Sequence, residues 1–295
     1  MKKFVYFRIN EKYFDFVQNN IPEVVFNPSN PIIILSTDDE NVTNIHNMNK
    51  LLDNTLYFYW DLLYEYTSNE INNAKLFRVK YLNVIESCGE EGGTQYDNSK
   101  VCPICGAGKR QIGDLHLSSN TSLKKGVVYK TIGGEIIVPS FFRDISIEHN
   151  LYGMDFLPVW LGDELLNDYL QLTSSYSIEV STMTRFGIDY FDTENISSVE
   201  ERMFNICGHN IHFPKEIYVC PQGDLVGLRL LSELFVLHND TINNIDFMKT
   251  SKYIGVKRGF INPEPLYVCS KKFYDVVKKE NIYGMEFEIA INGNR

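Results

Sequence analysis

The chain has 295 residues, a net charge of −10, 44% apolar residues and 13% aromatic residues. This composition supports a folded core and excludes a disordered chain, and the acidity argues against a broad nucleic-acid surface, which needs clustered Lys and Arg. No apolar run reaches the roughly 18 residues of a membrane span, and the opening MKKFVY lacks the apolar core and cleavage site of a signal peptide, so the expected location is cytoplasmic and without membrane attachment.

In chain order, Phe4–Ile9 and Lys75–Ile85 are rich in β-branched and aromatic residues and partly alternate, so they are expected to be strands. Between them Leu51–Tyr66 is dense in Leu, Tyr and Trp, and its periodicity allows a strand or a helix. Its run LYFYWDLLYEY (56–66) serves either a core or a contact surface. In the second case Tyr57, Trp60 and Tyr64 are the anchors, and Asp61 and Glu65 supply the charge that suits a basic partner.

The next feature is Cys102-Pro103-Ile104-Cys105-Gly106, which has the C-x-x-C-G form of a zinc knuckle: two sulfurs converge on one metal and the glycine turns the chain beneath it. In a reducing compartment the six cysteines are thiols or ligands rather than disulfides. Cys88, followed by Gly89, resembles half of a second knuckle, with Ile85 where its first cysteine would stand. Cys88, Cys102 and Cys105 are therefore the candidate ligands of a structural zinc, and the fourth is left open among His116, Asp97, water and a cysteine from further along the chain.

A repeat then emerges. Segments 135–159 and 266–290 align without a gap at an offset of 131, with seven identities: Phe142/Phe273, Asp144/Asp275, Asn150/Asn281, Tyr152/Tyr283, Gly153/Gly284, Met154/Met285 and Phe156/Phe287. Upstream, Cys207-Gly208 and Val219-Cys220-Pro221 answer Cys88-Gly89 and Val101-Cys102-Pro103, and RLLSEL (229–234) answers RQIGDL (110–115). Each copy is expected to end in a short strand (136–138 or 266–269), a helix (140–149 or 270–280) broken at Asn-Leu-Tyr-Gly or Asn-Ile-Tyr-Gly, and a final strand (154–159 or 285–290). The predicted fold is α+β: two similar mixed α+β units, 1–160 and 161–295, each with a cysteine-containing ribbon-like loop before a strand-helix-strand ending. In the second copy Gly223 replaces the second knuckle cysteine. Cys207, Cys220 and His209 or His212 then offer a second site, set against a loop held by packing alone, and Cys269 is expected to be a core residue.

CPICG followed by GDLHL and, after a strand and a helix, LYGMDFLPV resembles the double-CXXCG-motif proteins, and is similar to bacterial immunity proteins of polymorphic toxin systems. The resemblance covers 85–159 and, through the repeat, 205–290. It implies that Cys88, Cys102 and Cys105 are structural metal ligands and that the protein protects its producer by binding a cognate toxin. The absence of the first cysteine of the first pair departs from the family pattern.

No G-x-S-x-G, phosphate-binding glycine loop or H-E-x-x-H occurs, and the expectation is a binding protein rather than an enzyme. Two other readings stand beside it: a zinc-ribbon protein associated with nucleic acid or transcription, and a metalloenzyme whose three cysteines hold an open zinc.

Overall fold

Alternation along Lys2–Ile9 (β1) sends Val5, Phe7 and Ile9 to one face, where all three are fully buried. The computed structural model describes residues 1–24, 31–188, 190–191, 198–206, 209–224, 227–237 and 243–293. It divides into two units, Met1–Asn73 and Ala74–Arg295.

In the first unit β1 is followed by a 3-10 turn (Glu11–Tyr13), α1 (Phe14–Asn20), β2 (Ile32–Ser36), α2 (Glu40–Leu51), β3 (Tyr57–Glu65) and α3 (Ser68–Asn73). The strands form an antiparallel sheet in the order β2-β1-β3. Asp39 caps α2 by accepting from the Asn41 amide at 2.9 Å, and Val42, Ile45 and Met48 bury one face of the helix. The ambiguous 51–66 segment is thus helix end, turn and strand. The turn is fixed by buried Asn49, whose Oδ1 accepts from the Leu56 amide at 3.0 Å.

The second unit runs through β4 (Leu76–Tyr81), β5 (Val84–Ile85), α4 (Gly89–Gly92), β6 (Gln95–Asp97), β7 (Arg110–Ile112), β8 (Leu115–Leu117), β9 (Tyr129–Thr131), β10 (Ile136–Pro139), α5 (Phe141–Glu148), β11 (Asp155–Leu161), β12 (Glu164–Thr173) and β13 (Ser177–Val180). It continues with β14 (Phe186–Gly187), β15 (Ser198–Val199), β16 (Arg202–Ile206), β17 (His209–Phe213), β18 (Glu216–Ile217), β19 (Arg229–Leu230), β20 (Phe235–Leu237), β21 (Phe247–Ile254), β22 (Glu264–Ser270), α6 (Lys271–Lys279) and β23 (Met285–Asn292). Six strands close a barrel in the order β13-β20-β23-β4-β22-β21, filled by Leu76, Ile178, Leu234, Val236, Met248, Val268 and Ala290. Six more form a half-barrel, β5-β9-β10-β12-β11-β8, packed on Leu115, Leu117, Ile137 and Val159. The remaining strands pair as short ribbons, among them β6 with β7 and β14 with β19.

The expected α+β fold of two similar units is overturned: the structure is mostly β, 41% strand against 19% helix, with a closed barrel and a half-barrel. The physical reason is that each strand-helix-strand segment takes its central strand from the other half. In each repeat segment the two strands flanking the helix do not pair with one another. β10 and β11 both pair with β12, which comes from the later half, and β22 and β23 both pair with β4, which comes from the earlier half. The registers match: Val138 faces Leu170 as Cys269 faces Phe77, and Phe156 faces Leu172 as Phe287 faces Val79. The repeat boundary at 160/161 accordingly falls inside the second unit, beside the turn from β11 to β12.

The two helix-to-strand turns show why the shared Asn and Gly recur. Asn150 and Asn281 have φ of 49° and 53°, and Gly153 and Gly284 have φ of 94° and 104°. A Cβ on Gly284 would also sit 2.4 Å from the Val128 carbonyl oxygen. Gly284→Ala is therefore expected to lower stability by about 2–3 kcal/mol in urea unfolding, whereas Gly93→Ala, at φ 98° in open space, costs about 1 kcal/mol. Equal costs would show that the close approach carries no weight. No helix among the described residues is long and apolar enough to cross a membrane.

Candidate metal centre

The C-x-x-C-G loop connects β6 to β7. Its turn is closed by the Cys102 amide donating to Ala107 O at 2.8 Å and the Gly106 amide donating to Cys102 O at 2.9 Å, with Gly106 at φ 78°. The loop between β18 and β19, Cys220-Pro221-Gln222-Gly223-Asp224, makes a turn one residue tighter: the Gly223 amide donates to Cys220 O at 2.8 Å, and Gly223 has φ 79°.

These two turns face each other. Cys102 Sγ lies 3.6 Å from Cys220 Sγ, and Cys220 Sγ lies 3.8 Å from Asp224 Oδ2. The ligand atoms of Cys102, Cys105, Cys220 and Asp224 all fall within 4.8 Å of one another, so the four can hold a metal ion. The three cysteines are buried and Asp224 is half-buried. Ala107, Ile217 and Tyr253 pack around the sulfurs. Gln222 reaches Cys102 Sγ with its amide oxygen at 3.3 Å, and the Tyr253 amide donates to Asp224 O at 3.1 Å.

The two knuckle thiols are tuned in opposite directions. Backbone N–H groups, that of Cys105 first, draw the Cys102 thiol below its ordinary range, as anion-stabilising donors do. Burial pushes Cys105 up to about 12.

Of the three ligands expected from the sequence, the structure brings Cys102 and Cys105 together and places Cys88 elsewhere. Cys88 is buried at the start of α4, beside Gly133 and Glu135, and its thiol is raised by burial. Of the candidate fourth ligands, His116 stacks on Trp160 at 5.8 Å and Asp97 accepts from the Ser99 amide at 2.8 Å. The remaining protein alternative, a cysteine from later in the chain, corresponds to Cys220. Asp224 was missed. The signal was the Cys-Pro pair shared by 102–103 and 220–221, which marks the second loop as a knuckle with an oxygen donor one residue after the missing cysteine. Cys207 lies outside the described residues, and the His212 ring is exposed, 3.4 Å from Glu201. Cys269 is fully buried on β22.

The candidate contact residues also separate. Tyr57 and Trp60 are buried, with Trp60 opposite Phe7, and Tyr64 is half-buried and stacked on Tyr66 at 6.1 Å. Asp61 and Glu65 lie on the other face of β3 with Tyr59, where Tyr59 packs edge-on against Tyr6 at 5.7 Å. No family model matches the chain, and no curated protein matches it.

Proposed function

We propose that the chain is a zinc-braced, non-enzymatic binding protein that neutralises a cognate toxin by direct contact. The observation that carries the zinc brace is the four-donor set. Tetrahedral zinc with 2.3 Å bonds to sulfur spaces its sulfurs roughly 3.8 Å apart, and Cys102 and Cys220 stand at 3.6 Å. Three thiolates suit zinc, and with Asp224 they fill four positions, which favours a closed structural site over one with a place for substrate water. The ion would tie together loops 118 residues apart and contribute folding energy.

Function then lies on the surface. The net charge of −10 favours a basic partner, and the outer face of the first unit's sheet offers Tyr59, Asp61, Glu65 and Ile34, the last 53% exposed. The resemblance of CPICG and LYGMDF to immunity proteins supports a toxin as that partner.

The test is co-expression with a candidate toxin, taken from any secreted protein encoded beside this gene. Rescue of growth and recovery of a stable complex are expected. Asp61→Lys combined with Glu65→Lys should weaken the complex by about tenfold or more without changing melting temperature, while Trp60→Ala should lower stability. Continued growth arrest with no complex would overturn the reading.

A further inference from the structure

The second unit contains a cavity of about 620 Å³, lined by residues of β7, β11, β12, β21 and β22 together with the 260–265 stretch. A volume of this size accommodates a small organic molecule. Its charges are unevenly settled. Glu90 pairs with Lys109, Glu264 pairs with Lys130, and Glu135 accepts from the hydroxyls of Tyr96 and Thr131. Two cations in the wall, Arg110 and Lys249, have no ion pair among the described residues. Arg110 feels the carboxylate of Asp97, which accepts from the Ser99 amide. Lys249 feels that of Asp155, which accepts from Ser175 at 2.8 Å. Burial, and then the charge of Arg110, pull the Lys249 ammonium below its ordinary range, so the two cations are near enough to repel.

The repeat shows what Lys249 lacks. Lys249 faces Tyr267 across β21 and β22, as Lys130 faces Ile136 across β9 and β10. Lys130 has Glu264, which stands three residues before Tyr267. Three residues before Ile136 stands Gly133, which has no side chain to offer. One lysine of the related pair is thus neutralised from within the fold, and the other is left facing the cavity.

We propose that this cavity binds a small organic oxyanion, a carboxylate or phosphate ester on a planar body, with Arg110 and Lys249 holding the anionic group and Tyr253, Phe260 and Tyr267 covering the body. An anion placed between half-buried Lys249 and exposed Arg110 relieves their repulsion and forms charge-assisted hydrogen bonds. Tyr267 is already held flat, stacked on Phe247 at 5.3 Å. This site adjoins the metal centre, since Tyr253 packs on the sulfurs as well, but it rests neither on a bound metal nor on the toxin reading.

The experiment is calorimetric titration of the full chain at low salt with phenyl phosphate and with benzoate, using NaCl at matched ionic strength as the control. One-to-one binding with a Kd below about 1 mM is expected for at least one aryl anion, and which one binds distinguishes a phosphate from a carboxylate. Lys249→Gln and Arg110→Gln should each weaken it by about tenfold or more, the scale of a charge-assisted hydrogen bond. Lys249→Arg should retain binding, which guards against mere loss of fold, and Lys125→Gln, at an exposed lysine outside the cavity, should change nothing. Failure of both anions to exceed NaCl, or equal affinity in Lys249→Gln, Arg110→Gln and the parent chain, would overturn the proposal.

Discussion

One zinc per chain is expected in protein purified without chelator, and Cys220→Ser should lose it while Cys88→Ser keeps it. The contrast is sharp because both cysteines are buried, so simple loss of a core thiol affects both. Only Cys220 has its sulfur in the group with Cys102, Cys105 and Asp224. A ligand that binds the folded state alone at about 1,000 times its Kd adds about 4 kcal/mol. For a unit of this size that corresponds to a rise of ~8–16 °C in melting temperature, which chelation or Cys220→Ser should remove together with the metal. Asp224→Cys should hold zinc at least as tightly, because it supplies a fourth thiolate. Metal content by mass spectrometry and melting by calorimetry check each variant. Zinc that survives Cys220→Ser and is lost from Cys88→Ser would return the site to the ligand set expected from the sequence.

The knuckle was legible because C-x-x-C-G is a local pattern, and its two thiols need only one turn to converge. The other half of the site required two segments 118 residues apart to meet, and in one sequence only the weak Cys-Pro correspondence signals that. Sequence spacing made Cys88 the nearest thiol, but it stands at the opening of α4, outside the donor group. The strand-helix-strand endings could be read because periodicity, Asn and Gly are local features: α5 and α6 are observed at 141–148 and 271–279. What encloses them could not be read. Strands of two to four residues such as β5, β8, β13 and β20 carry no measurable alternation, and the placement of β4 and β12 in the opposite halves' sheets is set by non-local pairing. Aromatic density in 56–66 likewise showed that a buried face existed but not which residues form it. Strand alternation sends Trp60 inward and Asp61 outward, and the choice of strand over helix was made by Asn49 and the turn at 53–54.

Phe273→Ala is expected to destabilise the second unit by about 3–5 kcal/mol, the cost of removing a fully enclosed phenyl ring. Phe273 has no exposed surface, and its ring meets Phe247 stacked at 5.4 Å, Phe142 edge-on at 5.9 Å and Phe287 at 6.4 Å. The Phe142 contact is special because these two residues occupy the same place in the repeat. His149 and Glu280, also 131 apart, meet at 3.1 Å. Both contacts bring the α5 and α6 segments together, in addition to the strands on which each helix packs. Urea unfolding followed through Trp160, which stacks on His116 within this unit, should show a lower midpoint with an unchanged slope. Phe142→Ala should act similarly, and the double variant should cost less than the sum, with a coupling of at least about 0.5 kcal/mol between touching residues. Additive costs would mean that the rings are energetically separate and that the helix pair does not lock the two halves. Zinc content should stay at the parent level in all three variants, since none of these rings packs on the sulfurs.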